Sequence, residues 1–143
     1  MKKIVFLLTV VILAGCSKDS PSLSYAEYEA RWKSKQFTNY TMVQSLKCFC
    51  PNGGQKVTVV VQNNLITDVR DQNGQRLPVD SQKSYKTVDE LFAIIRSVDP
   101  AKVATLNVLY DKNLGYPTTL YVDVNKQIAD EEYGYSVENL QPK

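Results

Sequence analysis

Histidine is absent from this chain of 143 residues, which removes imidazole both as a catalytic base and as a metal ligand. There is no Gly-x-Ser-x-Gly elbow either, so nucleophilic catalysis is left with a serine–lysine or a carboxylate mechanism. Ser97 with Lys102, or Asp111 with Glu132, can be nominated for that role, but these residue types are common on any soluble surface. No sign of charge dominates. The formal net charge of +2 comes from Lys2 and Lys3, and beyond residue 15 the chain carries 15 basic and 15 acidic side chains. Without a basic field to attract phosphate, nucleic acid is not an expected partner. Long apolar runs are also missing. The longest, Ile4–Leu13, has ten residues, too few at about 1.5 Å per residue to span a hydrocarbon core of roughly 30 Å.

That run has a different use. Two lysines precede it, and the small residues Ala14 and Gly15 and then Cys16 follow it, the layout of a secretory signal. Leu13-Ala14-Gly15-Cys16 resembles the lipobox of bacterial lipoproteins, in which the thiol receives diacylglycerol and the leader is cut just before the cysteine. The expected organisation is a leader over 1–15, a lipidated Cys16 with a short tether over 16–23, and one domain over 24–143. Two or three acyl chains, at about 0.8 kcal/mol per buried CH₂, anchor durably. The seven residues Ser17–Leu23 reach at most about 25 Å, so the domain is expected to work close to the membrane that holds it, in the cell envelope. With two membranes, Ser17 points to the outer one, facing the periplasm or the cell surface.

In that oxidising setting Cys48 and Cys50 remain. Alternation along a strand puts both thiols on one face, about 6.5 to 7 Å apart at Cα if fully extended, at the far edge of disulfide geometry, so a turn at Pro51 is needed to bring them together. A structural disulfide is the favoured reading. Reduced thiols, another pairing, a redox pair and metal use stay open, although an exchanger normally places a low-pKa thiol in a Cys-x-x-Cys setting at a helix start.

Ser24-Tyr25-Ala26-Glu27 and Thr87-Val88-Asp89-Glu90 both read as capping boxes. Behind the first, Tyr25, Tyr28 and Trp32 share a helical face; behind the second, Val88, Leu91, Phe92, Ile95 and Val98 do. Phe37–Phe49 reads as a long strand, and 57–62 and 65–70 as a hairpin turning at Asn63-Asn64. Segment 71–85 is polar. Strands are expected over 103–110, 118–124 and 133–138. The chain therefore reads as α+β, in the order α-β-β-β-α-β-β-β, with both helices packed on one face of an antiparallel sheet.

The turn at Gly115-Tyr116-Pro117 is read in two ways: as a rigid mount presenting the Tyr116 ring to a partner, or as a cap on the core edge. Asp123, Asn125 and Gln127, followed by Asp130, Glu131 and Glu132, alternate like oxygen ligands. The calcium-loop template fails, because its sixth position is Ile128 and its twelfth Gly134. No cofactor or metal is expected.

Cys48-Phe49-Cys50-Pro51, the helix start Thr87–Phe92, the turn Tyr110–Pro117, Asp123 and Asp130-Glu131-Glu132 together resemble a bacterial family catalogued as domain of unknown function 6174, over roughly residues 28–140. The resemblance implies a small exported protein and no particular activity. It directs attention to Cys48, Cys50, Asp111, Gly115, Tyr116, Pro117, Asp130 and Glu131, and the last six form the candidate binding surface. The expected function is that of a non-catalytic envelope lipoprotein that binds a protein partner or has a structural role. Small-ligand or cation binding, inhibition of an exported enzyme, and an enzyme using carboxylate or cysteine chemistry are the alternatives.

Overall fold

The structure, a computed structural model, describes residues 24–143; the leader, Cys16 and the tether lie outside the described residues. Helix α1 (Tyr25–Ser34) starts where its capping residues put it. The Glu27 carboxylate accepts from the Ser24 backbone N–H at 2.6 Å and from its hydroxyl at 2.9 Å. The same device opens a later helix, α3 (Val88–Ser97): the Glu90 N–H donates to the Thr87 hydroxyl at 3.2 Å, and the Thr87 N–H to the Glu90 carboxylate at 2.7 Å. Each box satisfies donors that a helix start otherwise leaves open. A third, one-turn helix, α2 (Val79–Gln82), lies in the segment read from sequence only as polar.

Six strands form one antiparallel sheet: β1 (Tyr40–Leu46), β2 (Lys56–Gln62), β3 (Leu65–Arg70), β4 (Thr105–Tyr110), β5 (Pro117–Asp123) and β6 (Tyr133–Pro142), in the spatial order β3-β2-β1-β6-β5-β4. Alternation sends Tyr40, Met42, Val57, Val59, Val61, Val69, Leu120, Val122 and Val137 to one face. There they are buried with Trp32 of α1 and with Val88, Leu91, Phe92 and Ile95 of α3. The α+β architecture and the element order are those expected from the sequence. The expected asparagine turn is present too, with Asn63 and Asn64 both at positive φ between Gln62 and Leu65.

The first strand differs: it runs from Tyr40 to Leu46 and not over Phe37–Phe49, and at its far end the chain curls away where the Gly54 N–H bonds the Leu46 carbonyl. The two three-strand units meet along β1 and β6, antiparallel.

The crossover from β3 to α3 is pinned to the sheet by buried polar groups. The Gln44 side chain, fully buried, donates to the Lys86 carbonyl at 3.0 Å and accepts from the Lys86 N–H at 2.9 Å. One residue pair further on, the Tyr40 hydroxyl accepts from the Val88 N–H at 3.0 Å. Satisfying both ends of a buried amide in this way fixes one path for the chain.

Candidate functional site

Cys48 and Cys50 are joined in a disulfide with their Cα atoms 5.3 Å apart, closer than an extended strand would hold them. The turn that closes the gap is built from backbone: the Gly53 N–H reaches the Cys50 carbonyl at 2.9 Å, and the Gly54 N–H reaches the Leu46 carbonyl at 2.8 Å. A Cβ on Gly53 would collide with the Cys48 carbonyl, so the tight turn requires glycine there. Since both sulfurs turn toward each other, the residue between them is driven outward. Phe49 is 83% exposed, the most exposed of the large hydrophobic side chains among the described residues. Beside the disulfide lies a small concavity of about 220 Å³ lined by Leu46, Cys48, Cys50, Lys86, Tyr133 and Tyr135 among others.

The pinned segment 83–87 separates that concavity from a larger one of about 600 Å³, walled by Leu65, Ile66 and Val79 and bordered by Asp89 and Glu90. Tyr85 also lines it, only 2% exposed, and its hydroxyl has no hydrogen-bond partner among the described residues. Burial raises the pKa of this phenol, which keeps it neutral and able to donate. Leu65 and Val79 stand exposed on the rim. The recess has an apolar wall facing the polar side chains of Asn64, Gln82, Lys83, Asp89 and Glu90, a mixture found in ligand-binding clefts.

The turn singled out at Gly115 faces the other way, and of its two readings the cap on the core edge is the one the structure has. Gly115 has φ 89°, and a Cβ there would stand 2.5 Å from the Tyr28 carbonyl oxygen and 3.0 Å from the Trp32 nitrogen, so the turn is pressed against the backbone of α1. Tyr116 is 7% exposed and packs edge-on to Trp32 at 6.4 Å between ring centres; Pro117 is buried. Burial, followed by the nearby Asp111 charge, raises the Tyr116 pKa. The Asp111 carboxylate is engaged inside the loop, accepting from the N–H groups of Asn113 at 2.9 Å and Leu114 at 2.6 Å. The Arg31 guanidinium donates to the Lys112 carbonyl, and Tyr28 stacks on Tyr110 at 4.4 Å.

Nor do the six expected surface residues form one patch. Tyr110 pairs with Pro117 at one end of β5, while Asp123 of β5 and Tyr133 of β6 mark the other end. Asp130 and Glu131 precede Tyr133, so a seven-residue strand, about 20 Å at strand rise, separates them from Asp111. Asp130 is exposed with φ 69°, and Glu131 is half-buried with one carboxylate oxygen unpartnered among the described residues. The same separation parts Asp111 from Glu132. Among the described residues no group of three or more His, Cys, Asp or Glu side chains could hold a metal ion, and no helix is long and apolar enough to cross a membrane.

Sequence reasoning passed over Phe49 and Tyr85. The signal for Phe49 was present: alternation that aligns two cysteines points the residue between them the opposite way. Tyr85 carried no such signal, since nothing local distinguishes a tyrosine folded under a crossover from one on the surface.

The model of a family of unknown function, DUF6174, matches residues 24–142. No curated protein and no solved structure matches the chain.

Proposed function

The chain belongs to the DUF6174 family, a family of unknown function, and we propose that it is a membrane-anchored envelope lipoprotein whose domain is a non-catalytic protein-binding module. The observation that carries the binding reading is Phe49, 83% exposed on a disulfide-closed turn. A large ring held on a rigid mount loses little conformational freedom when it enters a partner's pocket, and aromatic anchors of this kind dominate interface energetics. The lipid on Cys16 and the short tether support the reading from the other side: confinement near one membrane raises the effective concentration toward anything on that membrane, so one anchor and a modest rim suffice.

The test is photocrosslinking in cells from a benzophenone amino acid at position 49 in the lipidated protein, with position 58 on β2 as the comparison and Cys16→Ser as the untethered control. A discrete adduct from position 49 that weakens in Cys16→Ser supports the proposal. Equal, diffuse labelling from both positions in a folded, membrane-bound protein would overturn it.

A second reading, small-ligand binding, rests on the recess over Tyr85 and its unmatched hydroxyl. Thermal-shift screening of the domain against amphipathic metabolites checks it, with Tyr85→Phe expected to abolish any stabilisation found.

A further inference from the structure

The sheet has two edges, and the chain treats them differently. At β3 the C-terminal half of the edge is covered: the chain returns along it, with the Leu77 N–H on the Val69 carbonyl and the Asp71 N–H on the Gln75 carbonyl, both at 2.9 Å, an antiparallel bridge between Arg70 and Arg76, and the Arg76 side chain on the Thr67 carbonyl at 3.1 Å. Charge reinforces the cover, since Asp68 pairs with Arg70 at 2.6 Å and with Arg76 at 3.1 Å. At β4 there is neither. Among the described residues no segment pairs with β4 except β5, and Thr105-Leu106-Asn107-Val108-Leu109-Tyr110 contains no charge and no proline. Leu109 is 56% exposed. Soluble domains usually guard such an edge, because its open N–H and C=O groups are a template for another strand.

We infer that β4 pairs antiparallel with β4 of a second copy of this chain, joining the two six-stranded sheets into one. A two-fold axis normal to the sheet keeps both helix layers on the same side, and it allows the register that sets Val108 against the partner's Val108, Leu106 against the partner's Tyr110, and Asn107 against the partner's Leu109. The half-buried Leu106, Val108 and Tyr110 then gain apolar neighbours, and the exposed Leu109 gains cover. A second copy fits better than an unrelated peptide because the symmetry closes. Once the β4 edges are paired, the edges left among the described residues are the two β3 edges, half-covered and charged, so assembly stops at a dimer.

The interface is small. A six-residue strand is about 20 Å long, short of what a stable dimer in dilute solution normally buries. Here the inference rests on the proposed lipid anchor. Tyr28, near the start of α1, stacks on Tyr110 at the end of β4, so both copies of α1 lie on the same side of the joined sheet, and confinement to one membrane supplies the missing concentration.

The test uses the full lipidated protein in membranes. Differently tagged copies carrying Asn107→Cys and Leu109→Cys are co-expressed and oxidised, with Thr58→Cys on β2 in both copies as the comparison. The expected result is a mixed-tag dimer at least fivefold more abundant than with Thr58→Cys. Leu109→Lys in an otherwise native chain should abolish chemical crosslinking of dimers while leaving thermal unfolding unchanged. A dimer lost in Cys16→Ser supports the edge pairing together with the anchor; a dimer that survives Cys16→Ser supports the pairing and removes the membrane's part in it. No mixed-tag product above the Thr58→Cys level, or a product only with a protein of another mass, overturns the pairing whatever the state of the lipid.

Discussion

The Cys48–Gly54 turn and the Asp111–Pro117 turn carry similar vocabularies, an aromatic residue beside glycine and proline, and they end in opposite environments. In the first, the disulfide and the Gly53 contact consume the turn's own backbone and push Phe49 into solvent. In the second, Gly115 lets the chain approach α1 so closely that Tyr116 becomes part of the aromatic cluster around Trp32. A rigid aromatic turn is a surface feature only if nothing packs over it, and what packs over it belongs to a distant part of the chain.

The contrast breaks most visibly at Tyr116. Tyr116→Ala should destabilise the domain by about 3–5 kcal/mol, the range for large aromatic truncations in a core, measured by urea unfolding; a loss under about 1 kcal/mol would mean that the turn is not packed inward. Opening the other turn with Cys48→Ser and Cys50→Ser together should cost less, about 1–2 kcal/mol, because the closed loop is so short. The membrane-bound variant should also lose the discrete adduct from position 49.

Glu29 sharpens the comparison through pH, since it fastens α1, the helix that covers Tyr116, to α3. Its carboxylate pairs with Lys33 at 2.7 Å and with Arg96. Burial raises its pKa, but the hydrogen bonds and charges of Lys33 and Arg96 outweigh burial and hold it below the ordinary 4.5. A carboxyl depressed in the folded state stabilises fully above its unfolded pKa, and that contribution is lost as pH falls through the folded value. The unfolding temperature of the native chain should therefore drop more steeply than that of Glu29→Gln below about pH 4.5; parallel curves would remove the pair from the account. The smallest effect on stability is expected for Phe49→Ser, within about 0.5 kcal/mol, because its ring is already in water. A larger loss would show that Phe49 packs on the domain itself.

Elements with local causes were legible. Both capping boxes, the apolar stripe of α3 and the asparagine hairpin follow from residues three or four apart, and they stand where the pattern put them. The ends of the first strand were misjudged because Phe37–Phe49 contains no breaker; the curl after Leu46 comes from bonds to Gly53 and Gly54. The candidate site was legible only in part. The Cys48–Cys50 pairing could be anticipated, whereas the recess over Tyr85 depends on Gln44 reaching Lys86 from forty-two residues away.

By itself the sequence determined the α+β class, the order of the main elements and the buried face of α3, because these rest on short-range periodicity and capping; on α1 the tertiary structure left Tyr25 exposed and buried Glu29 beside Trp32. Only the tertiary structure decided that β1 lies beside β6, that Tyr116 turns inward while Phe49 turns out, and that β3 is half-covered while β4 is open. Those outcomes depend on which surfaces meet across the fold. The meeting is settled by total burial and backbone pairing over the whole domain, which no local window of residues contains.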